Sequence, residues 1–181
     1  MIMKKIFAIV LIASLHSLAA QEKMSTKTGK VTFEASVPSF EEVKGKNEAT
    51  TCVLNAQTGE IASLAMIKGF RFKVALMEEH FNENYLESDK YPKATFRGKI
   101  DGFKASELSE VQKNYTIRGK LELHGKSKEI TAPAKIRKTA GGIEIITDFV
   151  VNTNDFEIGI PAVVRNKVSK NVNVHGEFLV K

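Results

Sequence analysis

The residues able to do chemistry in this 181-residue chain are few and scattered. Of its four histidines, His16 lies in an apolar leader, and His80, His124 and His175 stand far apart. A zinc site wants ligands at short, regular spacing, such as two histidines one helical turn apart. No metal site is expected from these three. The single cysteine, Cys52, can form neither an internal disulfide nor a site of several thiolates. It sits in the β-like run Ala49-Thr-Thr-Cys-Val-Leu54, where cysteine usually serves as a small buried apolar residue. There is no phosphate-cradling glycine loop and no Gly-x-Ser-x-Gly elbow. Glu78, Glu79, Glu83, Glu87 and Asp89 cluster, but without the alternating oxygen ligands and glycine of a calcium loop. They read as a solvated face. Neither a catalytic residue nor a cofactor is expected.

The histidines still carry positional expectations. His124 falls in a turn and reads as solvated. His175 shares parity with Asn173 and Glu177 and reads as an exposed strand residue. His80 lies among apolar neighbours on a helical segment. It is expected to anchor that segment through nearby carboxylates, with ligand contact at a barrel mouth as the alternative.

The elements around these residues are strands. Val31, Phe33, Ala35 and Val37 alternate with polar residues, as do Ala94, Phe96, Gly98 and Ile100. The same period-2 pattern covers Tyr115 to Leu123, Ile130 to Ile136, Ile143 to Val151 and Val172 to Val180. Ala62, Leu64, Met66, Phe70, Phe72 and Val74 share a parity and are expected to face inward together. Turn signals separate the runs at Gln57-Thr-Gly59, Asp101-Gly102, His124-Gly125 and Ala140-Gly-Gly142. About eight strands without helical crossovers make an all-β antiparallel domain, a barrel or a sandwich. Helical spacing at 76, 77, 81, 85 and 86 interrupts the rhythm, and a second helical turn is expected over Ala162 to Ser169.

The inward set contains many small residues: Ala35, Ala94, Gly98, Gly119, Ala132, Ala134 and Gly176. Either they leave room for an apolar guest, or they relieve crowding where strands bend. The larger inward residues Phe33, Phe72, Phe96, Ile117, Leu121, Phe149 and Phe178 are the candidate lining.

Residues 1–20 read as a secretory signal, with Lys4-Lys5, an apolar run from Ile6 to Leu15 and a small-residue cleavage site. A barrel domain over 21–181 would then be periplasmic or secreted. Lys+Arg exceed Asp+Glu by 27 to 21, and the basic residues spread over polar strand positions. Nucleic-acid binding wants a basic patch interleaved with aromatics, and most aromatics here have inward parity. No nucleic-acid partner is expected. A weak, transient attraction to anionic membrane surfaces stays open, as does the choice between monomer and homodimer.

Three motifs carry a family resemblance. Met77-Glu-Glu-His-Phe-Asn-Glu-Asn-Tyr-Leu-Glu-Ser-Asp-Lys-Tyr-Pro-Lys-Ala-Thr-Phe96 places His80, Phe81 and Tyr85 ahead of a Tyr91-Pro92 dipeptide and a Thr95-Phe96 strand start. Ile117-Arg-Gly-Lys-Leu-Glu-Leu-His-Gly-Lys-Ser-Lys128 supplies Gly119, Leu121, Leu123, Gly125, Ser127 and Lys128 of a hairpin signature. Asn154-Asp-Phe-Glu-Ile158 is similar to an Asp-Phe-Gly-Ile element, with Glu157 where glycine is usual. Together the motifs resemble the YceI-like family. The resemblance implies an eight-stranded lipocalin-like antiparallel barrel with one or two short helices. It also implies export to the periplasm and binding of a polyisoprenoid or related long lipid. Under it, His80, Phe81 and Tyr85 join the candidate ligand-binding set. Two other readings remain: a secreted stress-related structural barrel without lipid, and an enzyme acting on a lipid.

Overall fold

Alternating side chains make strands, and strands in this chain pair until no edge is left. The structure is a computed structural model describing residues 23–181; the expected signal lies outside the described residues. The strands are β1 (Lys23–Ser36), β2 (Lys44–Asn55), β3 (Glu60–Met66), β4 (Arg71–Phe72), β5 (Lys93–Ile100), β6 (Lys113–Leu123), β7 (Lys126–Thr139), β8 (Gly142–Asn152) and β9 (Val168–Val180). Their order is β1-β9-β8-β7-β6-β5-β3-β2, and β2 pairs back onto β1, every ladder antiparallel. The result is a closed eight-stranded barrel, with β4 a two-residue addition on β2. Closure removes the exposed edges that invite aggregation.

The hairpins 113–123/126–139 and 126–139/142–152 form where the turn residues place them. His124 and Gly125 both adopt positive φ, 50° and 71°, which matches the twist of a two-residue hairpin.

Sequence parity failed in one strand. Ile61, Ser63 and Ala65 of β3 face the interior, and Ala62, Leu64 and Met66 face out, Met66 being exposed. The strand carries apolar residues on both faces, so alternation could not choose between them. The 3-10 turn Ile67–Gly69 then resets the parity, which brings Phe70 and Phe72 inward. Asn47 closes that turn by donating from Nδ2 to the Met66 carbonyl at 3.0 Å.

The helix expected over 76–86 forms over 75–85, but it is compound. Helix α1 (Ala75–His80) passes into a wider π-helical turn, Phe81–Tyr85. Leu86 N donates to Phe81 O at 2.9 Å, five residues back. The wide turn buries both Phe81 and Leu86 against the barrel end. Leu76 lies off that face and is 56% exposed. The second expected helical turn shrinks to a 3-10 turn, Ala162–Val164, because β9 begins at Val168.

One end of the barrel is packed solid. Leu54, Ile100, Ile136, Ile145 and Val180 are fully buried there, with Phe103 and Leu108 of the β5–β6 connection plugging the base. The other end is covered by Phe70, Phe81, Leu86, Phe156 and Ile158 from connections and the helical segment.

Candidate functional site: an apolar cavity in the barrel

Between the solid base and the covered end lies a cavity of about 430 Å³, within the roughly 300–1,000 Å³ typical of small-molecule sites. Phe33, Phe72, His80, Phe81, Tyr85, Phe96, Ile117, Leu121, Phe149 and Phe178 all line it. Each is placed by strand parity except Phe72, His80, Phe81 and Tyr85, which are placed by β4 and the helical segment.

Four phenyl rings build one wall. Phe33 of β1 stacks on Phe81 at 5.2 Å between centroids, and Phe70 and Phe72 meet Phe81 at 5.7 and 5.0 Å. This cluster pins the helical segment to β1 and β4. Gly45 makes it possible, since a Cβ there would stand 2.6 Å from the Phe33 ring.

The small inward residues divide between both expected roles. Ala35, Ala94, Ala132 and Gly176 line the cavity. Gly98 and Gly119 do not. They face each other across β5 and β6, and a Cβ on either would come within 2.3 Å of a carbonyl oxygen of the opposite strand. They allow close backbone approach. Ala134 packs in the solid base.

The floor and walls also include Cys52, Phe70 and Val151, which the sequence placed inside without counting them as lining, and Ser63, Ala65 and Thr147, which it did not single out. Burial pushes the Cys52 thiol up to about 12, so it holds its proton and packs as an apolar group. Thr147 satisfies its hydroxyl by donating to the Pro133 carbonyl at 2.8 Å. Burial also raises the phenol of Tyr85 above its usual value. The deep interior therefore presents carbon and neutral groups. Glu41 and Lys167 bring charge only toward the mouth, where they and His80 join Phe40, Ile160 and Val164.

The histidines depart from expectation in two cases. His80 does line the cavity. However, its exposed side chain makes no hydrogen bond or ion pair with another described residue, so the expected carboxylate tie is not made. Glu78 anchors the segment instead. It receives Arg71 Nη1 at 2.8 Å and the Phe72 amide at 3.2 Å. His124, expected in solvent, is only 10% exposed at its side chain. Its ring nitrogens lie 2.9 Å from Glu87 Oε2 and 3.0 Å from the Phe156 carbonyl, and its ring packs edge-on to Tyr91. Local sequence shows only a turn there; two remote segments fold over it. His175 does lie on the outer face, between Asp148 (2.6 Å) and Glu177 (3.0 Å). The acidic cluster is solvated as expected at Glu79, Glu83, Glu87 and Asp89, although Glu87 and Asp89 also pair with His124 and Lys68; only Glu78, paired with Arg71, is half-buried.

Comparison with known proteins matches this architecture. The fold is similar to that of a polyisoprenoid-binding domain from Saccharophagus degradans, at TM-score 0.75 and 14% identity, covering 88% of this chain and 97% of that one. It is also similar to BcnA of Burkholderia cenocepacia, at TM-score 0.70 and 16% identity, covering 84% and 96%. The YceI protein of Campylobacter jejuni matches at TM-score 0.61 and 19% identity, covering 80% and 89%. No match was found among curated proteins. The model of the YceI-like domain matches residues 20–179. With a closed antiparallel barrel, a hollow apolar interior and a family match over nearly its whole length, the chain belongs to the YceI-like family.

Proposed function

We propose that this protein is an exported carrier that holds one long apolar chain, a polyisoprenoid, isoprenoid quinone or fatty acyl, inside the barrel. The observation that carries the reading is the cavity, whose deep walls are apolar side chains from every layer of the barrel. Burial of a chain there is worth about 0.8 kcal/mol per CH₂, so no directed polar contact is needed for affinity. The similar fold of the polyisoprenoid-binding domain from Saccharophagus degradans supports the same ligand class. Phe33, Phe72, Phe81, Phe96, Ile117, Leu121, Phe149 and Phe178 would hold the chain, with His80 and Tyr85 nearer its outer end. The leader at residues 1–20 supports export to the periplasm or beyond.

The reading asks for no catalytic residue. A filled structural barrel is the weaker alternative, because an apolar void gives up packing contacts unless something occupies it. The direct test is organic extraction of the purified protein followed by mass spectrometry, and titration of the stripped protein with a prenyl alcohol. A co-purifying long-chain lipid, or saturable uptake of the added one, is expected. An empty extract together with no uptake would sink the proposal.

A further inference from the structure

The end of the barrel opposite the solid base is built differently from the rest of its surface. The later part of the β8–β9 connection and the start of β9 run Ile158-Gly-Ile-Pro-Ala-Val-Val-Arg-Asn-Lys-Val-Ser-Lys170, a stretch without an acidic residue; Asp155 and Glu157, earlier in the connection, face Lys128 and Lys126. Its tip, Val163, is 82% exposed, the highest among the exposed large apolar side chains described. Arg165, Lys167 and Lys170 beside it are exposed and pair with no described carboxylate. Two further exposed apolar side chains stand at the same end. Phe40 (44%) is on the β1–β2 connection, and Leu76 (56%) is next to Met77 of α1. The cavity reaches this rim directly, since Phe40, Met77, Ile160, Val164 and Lys167 belong to its wall.

We propose that the β8–β9 connection docks the mouth of the barrel on the surface of an anionic lipid bilayer. The proposal rests on the reading of the cavity as a lipid site. A chain leaving a bilayer for the barrel would otherwise cross water, losing the burial that holds it at either end. A rim with apolar tips lets the apolar path run unbroken from membrane to cavity. The three cations supply the attraction to acidic headgroups, each worth about fivefold in partitioning near such a surface. A protein partner with an acidic, apolar face is the competing occupant. The continuity of rim and cavity favours the bilayer.

The test is co-sedimentation with vesicles of phosphatidylcholine, with and without about one third phosphatidylglycerol, at low and high salt. The full barrel should bind the anionic vesicles and release them with salt. R165E/K170E and, separately, V163D should each weaken binding about tenfold or more. These positions are exposed and off the cavity wall, so farnesol titration of the same variants should match the parent. Equal binding to uncharged vesicles, or variants that sediment like the parent, would overturn the docking surface. Farnesol uptake without vesicle binding overturns the docking surface alone. Vesicle binding without farnesol uptake upholds the surface and overturns the cavity reading.

Discussion

Glu157 holds a left-handed backbone, φ 54° and ψ 31°, at the end of the 3-10 turn Thr153–Phe156. That conformation costs a non-glycine residue roughly 1–2 kcal/mol. It also gives a physical reason for glycine at the matching place in the family motif. The compensation here is a pair with Lys126 at 2.9 Å, exposed on both sides and therefore worth little. Glu157→Gly should raise stability by about 1 kcal/mol, read from chemical denaturation. A second residue-scale prediction concerns pH. Hydrogen bonds from His175 to Glu177 and then Asp148 raise its pKa above the ordinary 6.5. Its contribution is present in full below the unfolded value and is lost as pH rises through the folded one. The parent should therefore lose stability from about pH 6.5 upward relative to His175→Gln. Parallel stability–pH curves for the two proteins would count against this.

At the scale of elements, β5 and β6 meet through the Gly98–Gly119 pair. Gly119→Ala would drive a Cβ to 2.3 Å from the Arg97 carbonyl, and backbone cannot give way as a side-chain tip can. A loss of about 3 kcal/mol or more is expected, measured as a lower urea midpoint. The helical segment is tied down differently. The phenyl cluster holds its start and middle, and His124 holds the loop that follows by contacting Glu87 and packing on Tyr91. Asparagine tolerates positive φ, so His124→Asn keeps the turn and removes the tie. Stability should fall by about 1–2 kcal/mol. Amide exchange should quicken over residues 86–91 while the base strands stay protected. A uniform change across the barrel would show that the tie is not local.

At the scale of the whole molecule, the barrel is solid at one end and hollow toward the other. Filling the hollow tests its purpose. Ala132 lines the cavity from β7, opposite Ile117. Ala132→Phe would occupy volume the ligand needs without touching the base. The variant should fold and lose prenyl-alcohol affinity by about tenfold or more, and the parent should gain melting temperature on loading by mass action. Unchanged affinity would place the ligand elsewhere.

The sequence alone determined the strands, the two hairpins and most of the lining, because period 2 forces successive side chains to opposite faces. Phe33, Phe96, Ile117, Leu121, Phe149 and Phe178 were legible for that reason. Where a strand is apolar on both faces, as β3 is, the period carries no sign, and only pairing with β2 and β5 chose Ile61, Ser63 and Ala65 for the interior. The division of small residues into cavity wall and backbone contact was equally hidden, since glycine reads the same in both roles. His124 was hidden because its partners lie more than thirty residues away in sequence. Local pattern fixes which way a side chain points. Only closure of the barrel decides what it meets, and whether the space between is filled or left open.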